Sequence, residues 1–411
     1  MKVIKHHVLP LLLAGIASFI FIRSGVFTPY TRNSNALNAL PSATYFPYYT
    51  NDLATELWLR SHLKDKSIVV LGSSELTAQT RKYIPNKFLT DSLGIPCIAF
   101  GKGGNQCFSI FTQLLSFHKD LQGARIVIVL SPGWFDEYSE GTSAEMFLLY
   151  NNKRMLNYIL EDDSVPAVFK NYVGKYIVRH LPTISSPDET LMNFYYIGQE
   201  ENPVKSIGTY PFSFYHSSAL KTRNNFLEEG YEKNTFPYPM RFSETEKLLP
   251  PAINAAGNTN AEKINWNNLY QTALSDFGKI SNNNTSGVEN EYYDTWVRGK
   301  SLKKNKELQL KENREYQDFL MLMDLLSYYK VDAYFMIQGL NPYAFDDLHK
   351  LDPAIDALKT GISKHHFEYF NMFTSDKSKY VKGTLNDIMH TGEYGWLKAD
   401  SAIVFHYYKN P

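Results

Sequence analysis

The sequence predicts an α/β protein built on a doubly wound, mostly parallel sheet with helices on both faces. Short apolar runs rich in β-branched residues recur along the chain and end at glycine or serine, as strands buried on both faces do. Stretches with helical spacing separate them. The same alternation returns near the C-terminus after a long interval without periodicity, so one sheet with one insertion accounts for the chain.

The first run, Ser67 to Leu71 (SIVVL), stops at Gly72-Ser73-Ser74. A second strand is expected from Pro96 to Phe100. Between Asn105 and Leu121, the residues Phe108, Phe111, Leu114, Leu115 and Phe117 crowd one side of a helix. Arg125 to Leu130 (RIVIVL) is the third and most apolar strand. Helical spacing runs from Ser143 to Tyr176 and then breaks down. Residues 185–300 carry little periodicity, and 251–300 are rich in asparagine, so an irregular insertion of surface loops is expected there. Glu307 to Tyr329 reads as a long amphipathic helix and Ala333 to Ile337 as a strand. A helix around Ala354 to Ser363, a strand near Phe367 to Phe373 and a helix from Tyr394 to Phe405 complete the pattern.

Composition bounds the function. The 411 residues carry 42 Lys+Arg against 42 Asp+Glu, a balance that argues against a nucleic-acid footprint. With 44% apolar residues the chain can bury a large core. Two cysteines, Cys97 and Cys107, are too few for a disulfide framework; they could pair in an oxidising compartment or remain buried thiols. No His/Cys/carboxylate set has metal-ligand spacing, so neither a metal nor a cofactor is expected.

The N-terminus reads as membrane-directed. Lys2 and Lys5 precede an apolar run from Val8 to Ile22, which Arg23 ends. A cleaved signal peptide shares this pattern, but no A-x-A-like site follows, which favours an uncleaved single-pass anchor over residues 1–27. The flanking lysines place the N-terminus in the cytoplasm and the rest of the chain outside. Residues 28–65 form a juxtamembrane connection, and 66–411 a catalytic domain with its insertion near 185–300.

Four segments could carry chemistry. Gly72-Ser73-Ser74-Glu75-Leu76 falls where a strand passes into a helix, so a serine hydroxyl there would face the crevice above the sheet, beside backbone N–H groups. In Asp387-Ile388-Met389-His390, a carboxylate three residues before a histidine can fix its tautomer and leave Nε2 to deprotonate a serine. Gly101-Lys102-Gly103-Gly104-Asn105-Gln106 follows the second strand and lacks both the P-loop and the dinucleotide spacing, so an oxyanion or substrate-shaping role fits it better. Ser131-Pro132-Gly133-Trp134-Phe135 follows the third strand, where Trp134 and Phe135 serve either as core or as substrate wall.

Three of these blocks, in this order and spacing, resemble the DltD family of D-alanyl-lipoteichoic acid biosynthesis proteins. They are Gly72-Ser73-Ser74-Glu75-Leu76, Ser131-Pro132-Gly133-Trp134-Phe135 and Asp387 to Trp396 (DIMHTGEYGW). With the N-terminal anchor the resemblance covers almost the whole chain. It implies an SGNH (GDSL-like) hydrolase fold, with Ser74 as nucleophile, Ser73 as the alternative, and Asp387 and His390 completing a triad. It further implies oxyanion donors from the Ser74 amide and from Gly103, Gly104, Asn105 or Gln106. Gly133 stands where the family block carries glutamine. The activity implied is transfer of D-alanine onto teichoic acid or a related envelope polymer outside the membrane. An acyl carrier and a membrane-bound O-acyltransferase would be the partners. Two other readings share the residues: an envelope carbohydrate esterase or O-acetyltransferase, and a non-catalytic, membrane-anchored scaffold that binds the acceptor.

Overall fold

The structure is a computed structural model that describes residues 12–17, 30–31, 59–60, 62–77, 81–135, 139–184, 189–199, 235–236, 264–304, 310 and 312–408. At its centre five strands form a wholly parallel sheet: β1 (Ile68–Gly72), β2 (Cys97–Gly101), β3 (Arg125–Leu130), β4 (Asp332–Ile337) and β5 (Glu368–Asn371). Their spatial order is β2-β1-β3-β4-β5. The chain therefore leaves β1 in one direction to reach β2 and crosses back to β3, which makes the carboxyl ends of β1 and β3 the topological switch point. Ile68 pairs with both Cys97 and Arg125, fixing the register of the three strands there.

Strand residues divide by parity between two cores. Val69, Leu71, Ile98, Phe100, Ile126, Ile128, Phe335 and Ile337 pack on one face with helices α1 (Cys107–Ser116) and α7 (Arg314–Tyr328). Ile68, Val70, Cys97, Ala99, Val127, Val129, Tyr334 and Met336 pack on the other with α6 (Trp266–Ile280) and α9 (Glu393–Tyr408). Burial on both faces is why these strands are continuous apolar runs, and each fully buried aliphatic side chain adds about 1.5–3 kcal/mol. The parity also separates the cysteines. Cys97 belongs to one core and Cys107 to the other, and both are buried free thiols.

The stretch expected to be helical from Ser143 divides into α2 (Ser139–Tyr150), α3 (Lys153–Glu161) and α4 (Ala167–Ile184). Asn152 starts α3 by accepting the Met155 N–H at 3.0 Å. The insertion is more regular than its sequence suggests. Its described parts contain α5 (Glu189–Gly198) and α6. α5 packs on α4 where Gly174 meets Gly198; a Cβ on Gly174 would lie 2.6 Å from the Gly198 nitrogen. α6 buries Trp266, Ala273 and Phe277, a helical spacing that its polar surroundings obscure. α7 begins at Arg314 rather than Glu307, because Asn313 caps it by accepting the Tyr316 N–H at 2.9 Å. α8 (Asp352–Lys364) packs against β5 and α7.

The expected anchor falls almost wholly outside the described residues, of which 12–17 are helical. No helix among the described residues is long and apolar enough to cross a membrane, so the structure does not support the expected transmembrane helix.

Candidate active site

Gly72 closes β1, and the chain turns at once into a short 3-10 turn, Ser74–Thr77. Glycine is required at both neighbouring strand ends. A Cβ on Gly72 would collide with the Glu75 carboxylate, and one on Gly101 with the Gly72 carbonyl. The turn is braced from several sides. Glu75 Oε1 accepts the Ser73 N–H at 2.5 Å, Ser73 Oγ donates to the Lys102 carbonyl at 3.1 Å, and Asn105 Nδ2 donates to the Gly72 carbonyl at 2.9 Å. Gln113 Nε2 donates to Asn105 Oδ1 at 2.8 Å, which fixes the orientation of that amide.

The two serines differ. Ser73 is 4% exposed and its hydroxyl is engaged, whereas Ser74 is half-buried and its carbonyl accepts from Thr77 Oγ1 at 2.6 Å. No hydrogen bond joins the Ser74 hydroxyl to His390 among the described contacts. In the loop after β2, Gly104 adopts φ +87, Asn105 N–H donates to the Lys102 carbonyl at 3.0 Å, and the Gly103 carbonyl accepts from Tyr150 Oη at 2.7 Å. Gln106 is buried at the start of α1, and its Oε1 meets no donor among the described residues. After β3, Gly133 is half-buried, while Trp134 and Phe135 lie in the core beneath α7.

Asp387 and His390 meet directly. His390 Nδ1 donates to Asp387 Oδ2 at 2.7 Å, and Asp387 Oδ1 accepts the backbone N–H groups of Met389 (2.8 Å) and His390 (2.7 Å). Burial alone would raise the Asp387 carboxyl, but the His390 side-chain bond and charge, with the two amides, hold it below its usual range. The bond from Asp387 in turn raises the His390 imidazole against the opposing effect of burial.

Several residues that no local pattern singled out hold this loop over the sheet. Gln338, just past β4, donates its N–H to the Leu130 carbonyl at 2.8 Å and its Nε2 to the Met389 carbonyl at 2.5 Å. Asn341 N–H reaches the Ile388 carbonyl at 3.0 Å. Glu393 accepts the N–H groups of Lys82 (2.8 Å) and Tyr83 (2.9 Å), tying the loop's far side to the segment beyond the serine turn. Arg81 pairs with Glu289 at 2.6 Å, and Glu289 N–H donates to the Asn386 carbonyl at 2.9 Å, so the end of the insertion borders the site. The glycines of the DIMHTGEYGW segment have steric causes. A Cβ on Gly392 would lie 2.6 Å from the Gly383 carbonyl oxygen, and one on Gly395 would meet the Thr384 carbonyl.

The serine turn and the Asp–His pair share one end of the sheet, where Glu75 and His390 are close enough for each charge to act on the other. Fold and site together define a class: a doubly wound α/β protein with a serine turn at its switch point and an Asp–His pair at the same end of the sheet. The family follows from comparison with known proteins. The family model described as DltD protein matches residues 47–408, and the chain belongs to that family. It is similar to Protein DltD of Bacillus subtilis (strain 168), at 23% identity over 348 residues covering 83% of this chain and 82% of that one. It is also similar to Protein DltD of Staphylococcus aureus (strain NCTC 8325 / PS 47), at 19% identity over 312 residues covering 74% and 72%.

Proposed function

We propose that the protein transfers D-alanyl groups onto teichoic acid or a related envelope polymer, with Ser74 as nucleophile, His390 as base and Asp387 as orienter. The Asp387–His390 pair at 2.7 Å, set at the same sheet end as the serine turn, carries this reading. Ser74 is favoured over Ser73 because the Ser73 hydroxyl is buried and already donates to a carbonyl.

In the first half-reaction His390 Nε2 takes the Ser74 proton as Oγ bonds to the acyl carbon of an activated ester or thioester. The Ser74–His390 bond this needs forms as the donor settles, since such contacts are often long in unliganded sites. The Ser74 N–H opens its 3-10 turn and so has no partner within it, which leaves it for the oxyanion. Asn105 has a second N–H beyond the one given to Gly72, and the Gly103-Gly104 turn and Gln106 lie in the same loop. The leaving group departs with the proton from Nε2. A polymer hydroxyl then loses its proton to His390, attacks the acyl-serine and restores the Ser74 hydroxyl. No cofactor enters this scheme.

The donor reaches the site through an acyl carrier system and a membrane-bound O-acyltransferase, and an N-terminal anchor holds the domain at the outer membrane face. Gly133 and the core residue Trp134 shape the loop after β3 beside the site. The test is polymer-bound D-alanine released by mild alkali from cells carrying wild-type or Ser74→Ala protein at equal levels. Loss in the variant is expected. Unchanged ester content would overturn transfer through Ser74 and leave the esterase or scaffold reading.

A further inference from the structure

Glu75 has no part in the triad, yet it is the most buried acid at the site. It is 3% exposed, and its side chain folds back over Gly72 to accept the Ser73 N–H at 2.5 Å. That bond spans the backbone just before Ser74, so the carboxylate holds the turn that aims the nucleophile. Its charge also reaches His390. A buried carboxylate used only to accept backbone amides would be costly, because a neutral acceptor could do the same without the desolvation penalty.

We propose that Glu75 is a positioning residue for acyl transfer: anchored on the Ser73 amide, it fixes the Ser74 turn and supplies the His390 imidazolium with a second negative charge beside that of Asp387. The inference deepens the reading above and rests on His390 serving as the base. When His390 takes the Ser74 proton, the new positive charge is then held by Asp387 and attracted by the buried Glu75 carboxylate at the same end of the sheet. Other groups act on the Asp387–His390 pair. Arg81 opposes protonation of the imidazole and is itself paired with Glu289, while Tyr292 and Tyr380 are neutral phenols held above their usual range by burial and by Asp387. Burial pushes Glu75 up to about 7 despite the Ser73 amide and His390, so it carries its charge above that value, where a neutral His390 serves as base, and loses it below.

The experiment uses the full chain in detergent, with Glu75→Gln, Glu75→Asp and Glu75→Ala. Gln keeps an oxygen for the Ser73 amide but removes the charge; Asp keeps the charge on a shorter arm. Two readouts are taken against pH: kcat/KM with 4-nitrophenyl acetate, and the rate at which diethyl pyrocarbonate modifies His390, followed by mass spectrometry of its peptide. Glu75→Gln is expected to lower the His390 midpoint and the acid limb of kcat/KM together by about half a unit or more. Glu75→Asp is expected to keep the wild-type midpoint, and Glu75→Ala to lose roughly tenfold or more in kcat. Superimposable His390 titrations for wild type and Glu75→Gln would overturn the proposal, as would a Glu75→Asp midpoint that falls like that of Gln. The modification readout needs no turnover, so it decides the point even if Ser74→Ala shows that the acyl-transfer reading fails.

Discussion

One carboxylate both orients and encloses its histidine: Asp387 Oδ2 accepts from His390 Nδ1 at 2.7 Å while Oδ1 accepts the backbone N–H of the same residue at 2.7 Å. Ring and main chain are thus fixed to one group. Asp387→Asn can keep the amide contacts through its oxygen but presents an uncharged group to Nδ1. The expected result is a fall in kcat of about a hundredfold or more with little change in thermal stability. Retention of most activity would show that His390 is not working as an oriented base.

The pH profile follows from the same pair. The bond from Asp387 raises the imidazole, and the base must be neutral to act. Activity is therefore expected to rise with pH through a midpoint above 6.5, the ordinary histidine value. A midpoint below that value in wild-type enzyme would contradict the geometry.

Stability has a separate pH signature at Glu75. Burial raises its carboxyl from 4.5 to about 7, so between those values the folded chain holds a proton that the unfolded chain releases. Folding stability is expected to decline as pH rises through this window, and Glu75→Gln to flatten the decline. Thermal melting of both proteins between pH 4.5 and pH 7.5 reads the difference directly.

Gln338 fastens the Asp387–His390 loop to β4. Gln338→Leu removes the donor to the Met389 carbonyl and leaves that group without this partner in a poorly hydrated place. A loss of about 1–3 kcal/mol in stability is expected, with kcat falling more than KM changes. Denaturant unfolding beside steady-state kinetics on an activated ester measures both.

The cysteines stay apart because the sheet lies between them. Two thiols per chain are expected to react with a thiol reagent after denaturation without reductant, and almost none in the native protein. Titration of no thiol would show a pairing this fold does not permit.

Sequence reasoning reached the sheet because strands buried on both faces leave a local mark. Ile68–Gly72, Cys97–Gly101 and Arg125–Leu130 each fall within a residue of their expected bounds. The Asp387–His390 contact was legible for the same reason, since three residues separate its partners. What stayed hidden depends on contacts over long separations. Gln338 matters through Met389, Glu393 through Lys82 and Tyr83, and Arg81 through Glu289, and no periodicity announces such pairs. Glu75 stood in view within its motif, but its fold back onto Ser73 emerged only once Gly72 left room for the carboxylate. Helix α6 was missed because only Trp266, Ala273 and Phe277 are buried along it, among polar neighbours.

In the mechanism proposed above, the nucleophile comes from the turn at residues 72–76 and the base from residue 390, with Gln338 joining the later half to the earlier. A nascent chain therefore exposes its nucleophile long before the ribosome has supplied the group that activates it. Any product cut short before His390, by premature termination or by proteolysis, carries an inert serine. Under that mechanism, reactivity is tied to synthesis reaching residue 390.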